Sequence, residues 1–300
     1  MNTHTLRAAT ERPEAPALGG MTDLRSAQAD PVAARADPGR QRRALILCGG
    51  GARGAMEVGF YQAITELGLS FDLVVGSSVG ALNGALIAAG FSPAELAGLW
   101  RGIRRRDLIA WSGRALLSGG FYSFDPLRRL LEKTLPVRRF EELERPLVIT
   151  TTNLRTGHVH YWDRGDLLAP LIASMSLPGA FPPVWIGGEP HVDGGVASNV
   201  PFEPAFDRGI TEMMLALCTC CPPAAHPPHS PFGVLLRSFL ISLDSKYACD
   251  LNHYRRQGIV MRVARPEFLL DVGLLDFQYA DALIRAGHEQ SLKALPCFAG

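Results

Sequence analysis

The chain has little of what marks several broad classes of protein. Its six cysteines are few for 300 residues and irregularly spaced, which argues against a disulfide scaffold and favours reduced thiols in the cytoplasm. No uninterrupted apolar run reaches the ~18 to 20 residues of a membrane-spanning helix, and no compact apolar segment follows a basic start as in a secretory signal. The formal net charge is only +1, so no basic excess predicts nucleic-acid binding. We therefore expect a cytoplasmic protein without a signal peptide or transmembrane segment, and no nucleic acid among its partners.

Composition divides the chain into two parts. Residues 1–41 are rich in Ala, Pro and Arg and show no sustained hydrophobic period, which is typical of a disordered tail. Residues 42–300 alternate short apolar runs with helical patterns, and the hydrophobic content of 47% is enough for a sizeable core. This alternation predicts one α/β domain, with a mostly parallel central sheet and helices on both faces.

The first strand of this domain leads directly into a glycine-rich loop. Arg43–Cys48 is a short apolar run typical of a buried parallel strand, and Gly49–Gly54 follows with the sequence GGGARG before a helical pattern begins. Such a loop presents backbone N–H groups to an anion. The Lys-Ser/Thr of a Walker phosphate loop is absent, and a dinucleotide GxGxxG is met only loosely. An oxyanion hole is the other interpretation of the loop.

The next strand and helix meet at a serine. Phe71–Val75 is followed by Gly76, Ser78 and Gly80 in a GxSxG pattern, and a helix of small and apolar residues comes next. The two glycines allow strand and helix to meet at a sharp turn. The turn would expose the serine hydroxyl as a nucleophile near the positive end of the helix. The alternative is that Ser78 only caps the helix that follows it.

An acid occurs later in a comparable setting. Asp193 stands between a short strand and the glycines Gly194 and Gly195. At such a position a carboxylate can act as a general base, or it can simply form an Asx turn with the backbone that follows. His191 is two residues before Asp193 and would point to the same side of a strand, so we expect it to line the same cleft.

Taken in chain order, four motifs resemble the pattern of the patatin-like phospholipases. They are the glycine loop Gly49–Gly54, the serine turn Gly76–Gly80, the proline-rich block Ala173–Pro183 and the acidic turn Asp193–Gly195. The resemblance extends over about residues 43 to 295. It implies a three-layer patatin-like α/β fold and the hydrolysis of a lipid acyl ester, as in a phospholipase A, a lysophospholipase or a carboxylesterase. No cofactor is implied.

The resemblance also gives roles to individual residues. It implies that Ser78 is the nucleophile and that Asp193 is its only side-chain partner, a dyad in place of a triad. Six residues would form or flank the oxyanion hole: Gly49, Gly50, Gly51, Arg53, Gly54 and Val79. Four further glycines would support the two turns: Gly76, Gly80, Gly194 and Gly195. No metal is expected, because no ligand cluster accompanies these motifs.

Two other functions are compatible with parts of the sequence. A serine esterase with a Ser-His-Asp triad would need one of four histidines that have no motif around them: His226, His229, His253 and His288. A lipid-binding module without catalysis is the second alternative. Such a module would have no need of the glycine loop, Ser78 and Asp193 together, so we favour the hydrolase.

Two further segments have no assigned chemistry. A basic run, Arg101–Arg106, precedes four large apolar residues: Trp111, Leu116, Leu117 and Phe121. These residues could contact a membrane surface peripherally, or the arginines could be a solvated helix end while the apolar side chains pack on the core. The Cys218–His229 segment has cysteines and histidines, but its four prolines and its spacing match no common zinc pattern.

Overall fold

The computed structural model describes residues 41–218, 228–268 and 272–295. The predicted tail, apart from residue 41, lies outside the described residues, and so does most of the Cys218–His229 segment, including His226. Within the described ranges, no helix is both long enough and apolar enough to cross a membrane.

Eight strands form one sheet, and two short strands form a separate hairpin. In chain order the strands are β1 Arg43–Leu47, β2 Leu73–Ser77, β3 Ala110–Trp111, β4 Tyr122–Ser123, β5 Leu147–Asn153, β6 Val159–Trp162, β7 Val184–Ile186, β8 Glu189–Asp193, β9 Glu212–Ala216 and β10 Val260–Ala264. The main sheet has the order β10-β9-β1-β2-β5-β8-β7, with β6 also paired to β5, whereas β3 and β4 form the hairpin.

The helices alternate with these strands along the chain. They are α1 Ala55–Glu66, α2 Val79–Ala88, α3 Pro93–Gly102, α4 Arg105–Leu108, α5 Gly113–Leu117, α6 Asp125–Thr134, α7 Leu168–Ser174, α8 Gly195–Ser198, α9 Glu203–Asp207, α10 Pro231–Arg256 and α11 Ala280–Ala294. Short 3-10 turns occupy Gly51–Gly54, Phe140–Glu142 and Phe277–Tyr279.

The centre of the sheet is parallel. β10, β9, β1, β2 and β5 all run in the same direction, and every residue of β2 and β9 is buried. Strands covered on both faces have no solvent side, which is why these segments are mostly apolar and do not alternate, with the polar Ser77 and Glu212 at the ends of β2 and β9. The predicted α/β fold, with a mostly parallel sheet between helices, is confirmed.

The antiparallel part of the sheet brings together residues that are far apart in sequence. β6 follows β5 in the chain and pairs with one edge of it in antiparallel orientation. On the other edge, β2 pairs as far as Ser77 opposite Thr150, and β8 continues from Asp193 opposite Thr151. The end of β2 and the end of β8 therefore meet at neighbouring positions of β5. The sequence did not indicate β7, which pairs with β8 beyond this point.

The segment between α3 and α6, residues 104–124, is called the cap segment below. Its Leu108 and Ile109 are buried, whereas Trp111 is 72% exposed and Leu117 is 90% exposed. The interpretation that all its apolar residues pack on the core is therefore wrong for the exposed ones. The backbone N–H groups of Phe121 and Tyr122 both donate to the Ala180 carbonyl, at 2.8 and 2.9 Å, which joins the cap segment to the proline-rich block.

Candidate active site

Ser78 occupies the turn between β2 and α2 in an unusual backbone conformation. Its φ is 55° and its ψ is −128°, and it is the only non-glycine residue with a positive φ in the described part of the chain. Such a conformation costs on the order of 1–3 kcal/mol and persists only where the surroundings enforce it. The Ser78 side chain makes no capping hydrogen bond to α2. The interpretation of Ser78 as a simple helix cap is therefore wrong.

The hydroxyl of Ser78 faces Asp193. Ser78 Oγ donates to Asp193 Oδ2 at 2.7 Å, and the Gly195 N–H donates to Asp193 Oδ1 at 2.7 Å. Asp193 is 4% exposed. The second hydrogen bond is the one that an Asx turn would make, so the carboxylate serves the turn and contacts the serine at the same time.

Burial changes the acidity of this carboxyl group. Removal from water raises the pKa of Asp193 to about 6, because the charged form loses its solvation. The hydrogen bonds from Ser78 and from the Gly195 N–H lower the pKa again, but by less than burial raises it. Asp193 is therefore mostly ionised at neutral pH and a stronger base than a solvated aspartate.

The backbone around the pair is fixed by the end of α7. The Ser78 N–H donates to Ser174 Oγ at 2.9 Å, and the Asp193 N–H donates to the Ser176 carbonyl at 2.9 Å. Ser174 Oγ in turn donates to the Thr150 carbonyl at 2.7 Å. The sequence analysis did not identify Ser174, although it lies in the proline-rich block Ala173–Pro183 that carried the resemblance.

The glycine loop lies beside the serine, with its members in different roles. Gly50, Gly51 and Val79 line the cavity at Ser78, and their N–H groups have no hydrogen-bond acceptor among the described residues. Gly49 also lines the cavity, but its N–H donates to Asn199 Oδ1 at 3.2 Å. Of the six residues expected at the oxyanion hole, Gly50, Gly51 and Val79 therefore have a backbone N–H that no described residue uses. The N–H of Gly49 is already bound to Asn199.

Arg53 and Gly54 depart further from the expectation. Arg53 Nε donates to the Val272 carbonyl at 2.9 Å, so the guanidinium helps to hold the loop and does not line the cavity. Gly54 is buried, and its carbonyl accepts a hydrogen bond from Asn83 Nδ2 at 3.0 Å. Both residues therefore support the loop through contacts with other segments of the chain.

An apolar cavity that is open to solvent at one end extends from the serine. The polar side chains of its wall belong to Ser78, Asp193 and Asn199, and no Lys, Arg or His of the described residues lines it. The apolar part comes from separate regions of the chain: Leu82, Trp100, Ile103, Leu108, Ile109, Phe124, Leu127, Met175, Leu177, Phe181, Phe239, Leu240, Leu243, Leu274, Leu275 and Phe277.

The histidines lie elsewhere. His191 is buried beside Thr151, with Nδ1 at 3.0 Å from the Thr151 hydroxyl, and is not in the cavity wall, so the expectation that it lines the cleft is wrong. His288 Nε2 is 2.8 Å from Glu66 Oε2, and His253 packs on Tyr254. His229 is exposed. The structure therefore places no described histidine at Ser78.

One buried cluster has metal-ligating side chains. Ligand atoms of Cys48, Glu57 and Cys218 lie within 4.8 Å of one another. Both oxygens of Glu57 already accept hydrogen bonds, from the Cys48 N–H at 2.7 Å and from Asn83 Nδ2 at 2.9 Å. Burial raises the pKa of Glu57 well above its usual value, which favours the neutral acid over the carboxylate that a metal would need. The cluster is better explained as a hydrogen-bonded support behind the glycine loop.

Comparisons with known proteins agree with this geometry. The model of the patatin-like phospholipase family matches residues 45–206. A lysophospholipase of Cryptococcus neoformans is 29% identical over 178 residues, which are 58% of this chain and 11% of the relative. An uncharacterized NTE family protein of Mycobacterium bovis is 28% identical over 283 residues, or 84% of this chain and 46% of the relative. The chain thus spans less than half the length of these curated relatives.

The same fold occurs in a solved structure. VipD of Legionella pneumophila superimposes with a TM-score of 0.50 at 14% identity, over 86% of this chain and 67% of that one. The match of the family model covers more than half of the chain and includes the glycine loop, Ser78 and Asp193. The chain belongs to the patatin-like phospholipase family.

Proposed function

We propose that the protein hydrolyses carboxylic esters of lipids, with Ser78 as the nucleophile and Asp193 as the general base. The observation that carries this proposal is the 2.7 Å hydrogen bond from Ser78 Oγ to a buried carboxylate at one end of an apolar cavity. A serine hydroxyl is a weak nucleophile until a positioned base takes its proton, and Asp193 Oδ2 is the base within reach.

The reaction proceeds in two halves. Ser78 Oγ attacks the ester carbonyl carbon while its proton passes to Asp193 Oδ2, and the carbonyl oxygen becomes an oxyanion. When this tetrahedral intermediate collapses, the alcohol leaves with the proton from Asp193, and the acyl group stays on Ser78. Water then attacks the acyl-enzyme and gives a proton to Asp193. Ser78 leaves with that proton, and the fatty acid is released.

The oxyanion is stabilised by backbone N–H groups. Gly50, Gly51 and Val79 supply donors that have no other partner among the described residues, next to the serine and close to the positive end of α2. Removal of a single donor from such a site typically slows hydrolysis by about 10² to 10³. The Gly49 N–H contributes indirectly, because its hydrogen bond to Asn199 fixes the loop.

The walls of the cavity support a lipid acyl chain as the substrate group. They are almost entirely apolar, and Asp193 is the only charged side chain that the described part of the chain contributes to them. An acyl chain gains free energy on leaving water for such a surface. A charged head group would find no partner there, so it stays at the mouth. The name of the Cryptococcus neoformans relative supports a lysophospholipid as one substrate of this class.

Contact with a membrane belongs to the same proposal. The cap segment exposes Trp111, Leu116, Leu117 and Phe121 beside the exposed basic residues Arg106 and Arg114. Basic and apolar side chains together favour an anionic lipid surface. The inner side of the same segment, at Leu108 and Ile109, lines the cavity. Docking of the cap segment would therefore bring the cavity to its substrate, at a cytoplasmic membrane face if the expected location holds.

The experiment that tests this function is a panel of acyl esters of varied chain length and head group, assayed with the wild type and Ser78→Ala. We expect hydrolysis by the wild type, labelling of Ser78 by a fluorophosphonate, and neither with Ser78→Ala. Activity should persist in EDTA. Loss of activity in EDTA that zinc or calcium restores would contradict the metal-free reaction, and a wild type that neither hydrolyses an ester nor reacts at Ser78 would leave a lipid-binding module as the better account.

A further inference from the structure

Ser174 makes hydrogen bonds in two directions from the last position of α7. Its hydroxyl accepts the Ser78 N–H at 2.9 Å and donates to the Thr150 carbonyl at 2.7 Å, and the residue is fully buried. Because the donor and an acceptor site of the hydroxyl are both used, its orientation is fixed. Thr150 pairs with Ser77 across β5 and β2, so this link connects the turn at Ser78 to the strand beside it.

The acceptor is placed where the backbone is most strained. Ser78 has a φ of 55°, and its N–H has no other acceptor among the described residues. A buried N–H without a partner is unfavourable, so the Ser174 hydroxyl stabilises the conformation in which that N–H points toward it. The Ser174 carbonyl also accepts the N–H of Gly194, at 3.3 Å, next to the acid. One residue thus contacts both the serine turn and the acidic turn.

We propose that Ser174 is a positioning residue of the hydrolysis, which holds the Ser78 backbone so that Oγ faces Asp193 Oδ2. This inference rests on the proposed function. Ser174 does not line the cavity, so it affects the geometry of the reacting atoms and not the binding of the acyl chain. The Ser78 N–H, being bound to Ser174, is also removed from the set of oxyanion donors.

The test is Ser174→Ala, which keeps the helix and removes both hydrogen bonds of the hydroxyl. We expect kcat to fall by about 10²-fold with KM nearly unchanged, as when a reacting group is displaced by about 1 Å. Fluorophosphonate labelling of Ser78 should slow in parallel. Hydrogen–deuterium exchange of the peptide Gly76–Leu82 should become faster, because the Ser78 amide loses its acceptor. If Ser174→Ala is too unstable to purify, Ser174→Cys keeps the volume and exchanges the hydroxyl for a weak donor and acceptor, with the same expectations.

The matched control is Tyr61→Phe. It also removes a buried hydroxyl that donates to a backbone carbonyl, that of Phe91 at 3.1 Å, but in α1 and away from the dyad. Because it removes one hydrogen bond and Ser174→Ala removes two, its melting temperature should fall by less, while kcat stays at the wild-type value. If both variants lose kcat equally, or if Ser174→Ala keeps wild-type kcat and exchange, the inference is wrong although the proposed function stands. A wild type without hydrolysis or labelling would overturn the proposed function and this inference with it.

Discussion

At the scale of the residue, the two carboxylate oxygens of Asp193 have different roles, one in the turn and one at the serine. Oδ1 accepts the Gly195 N–H inside the turn, and Oδ2 accepts the Ser78 hydroxyl. The turn keeps the carboxylate from rotating, since one oxygen is already held. Burial then makes the other oxygen more basic than it would be in water. A single side chain in this environment can do the work for which a triad uses two residues.

The first prediction concerns this base. Asp193→Asn keeps an oxygen for the Gly195 N–H but replaces the basic oxygen, so kcat should fall by the ~10² to 10⁴ typical of lost general-base catalysis. In the proposed reaction, the ionised form of Asp193 is the active one. Activity should therefore be present above pH 6 and be lost as the pH falls through about 6, the pKa of Asp193. The pH dependence of kcat/KM measures this limb.

An imidazole would titrate in a similar range, so a control is needed. The ionisation of a carboxyl group has almost no enthalpy, whereas that of an imidazole has a large one. The pH at which kcat/KM is half lost should therefore stay nearly constant when the temperature is changed. His229→Gln, His253→Gln and His288→Gln should remain close to the wild type. A folded histidine variant as inactive as Ser78→Ala would show that the dyad is wrong.

The motifs predicted Ser78 and Asp193 but not the residues that hold them. Ser174 is 96 residues from Ser78, and Asn199 is 150 residues from Gly49. Ser174 lies in the proline-rich block and Asn199 follows the acidic turn, but neither motif shows what the side chain contacts, because a buried serine and a buried asparagine become positioning groups only through the element that packs against them. The different roles of the glycine-loop residues have the same cause. Gly49 donates to Asn199 and Arg53 donates to Val272, and both partners lie on segments remote in sequence.

At the scale of the element, the backbone of α2 packs directly against the backbone at the end of β1. A Cβ atom on Gly80 would overlap the carbonyl group of Leu47, which is backbone and cannot move aside. The glycine of the serine turn is thus required by the contact between helix and strand. That contact sets the start of α2, and with it the N–H of Val79, relative to the glycine loop.

The second prediction compares two helical glycines. Gly80→Ala should destabilise the fold by about 1–3 kcal/mol or more, because overpacking against backbone forces the elements apart. Gly98→Ala in α3 should stabilise it by up to about 1 kcal/mol, since alanine favours a helix and a Cβ there would have no atom within 4 Å. Urea unfolding of both variants measures the difference. Equal effects would mean that α2 can shift without cost.

The sequence predicted the elements better than their pairing. Apolar runs identified β1 and β2, because strands that are almost entirely buried have a distinct composition. The direction of β7 and β8 depends on which edge of β5 is free, and no local sequence pattern shows which edge that is. Helix α10 extends over Pro231–Arg256. Its Phe239, Leu240 and Leu243 line the cavity, a role that was not visible in the sequence.

At the scale of the whole molecule, the cap segment connects the outer surface to the cavity. Its Leu108 and Ile109 line the cavity, and its exposed apolar residues are Trp111, Leu116, Leu117 and Phe121. Arg105 Nη2 donates to the Tyr122 hydroxyl at 3.2 Å, so this arginine also holds the segment together. Arg106 and Arg114 are exposed and better suited to test the surface alone.

The third prediction concerns binding to lipid vesicles. Arg106→Glu with Arg114→Glu should weaken sedimentation with anionic vesicles by more than about tenfold, since each basic residue near such a surface contributes ~1 kcal/mol. Hydrolysis of a soluble short-chain ester should be unchanged. Arg255→Glu with Arg256→Glu is the control, because it makes the same change of charge at the exposed end of α10. If both pairs reduce sedimentation equally, only net charge matters; if neither does, the cap surface is simply solvated.

The buried carboxylate also couples folding to the uptake of a proton. Asp193 has a pKa of about 6 in the folded protein and an ordinary value near 3.8 when the chain is unfolded, so between these values the folded state binds more protons. The ionised carboxylate therefore lowers the free energy of unfolding by roughly 3 kcal/mol at a pH above both pKa values. Asp193→Asn should be more stable than the wild type at pH 8 and lose that advantage as the pH falls toward 4, in urea unfolding. The active protein is, on this account, less stable than its inactive variant. If the gain in stability of Asp193→Asn did not depend on pH, the ionised carboxylate would not be its cause.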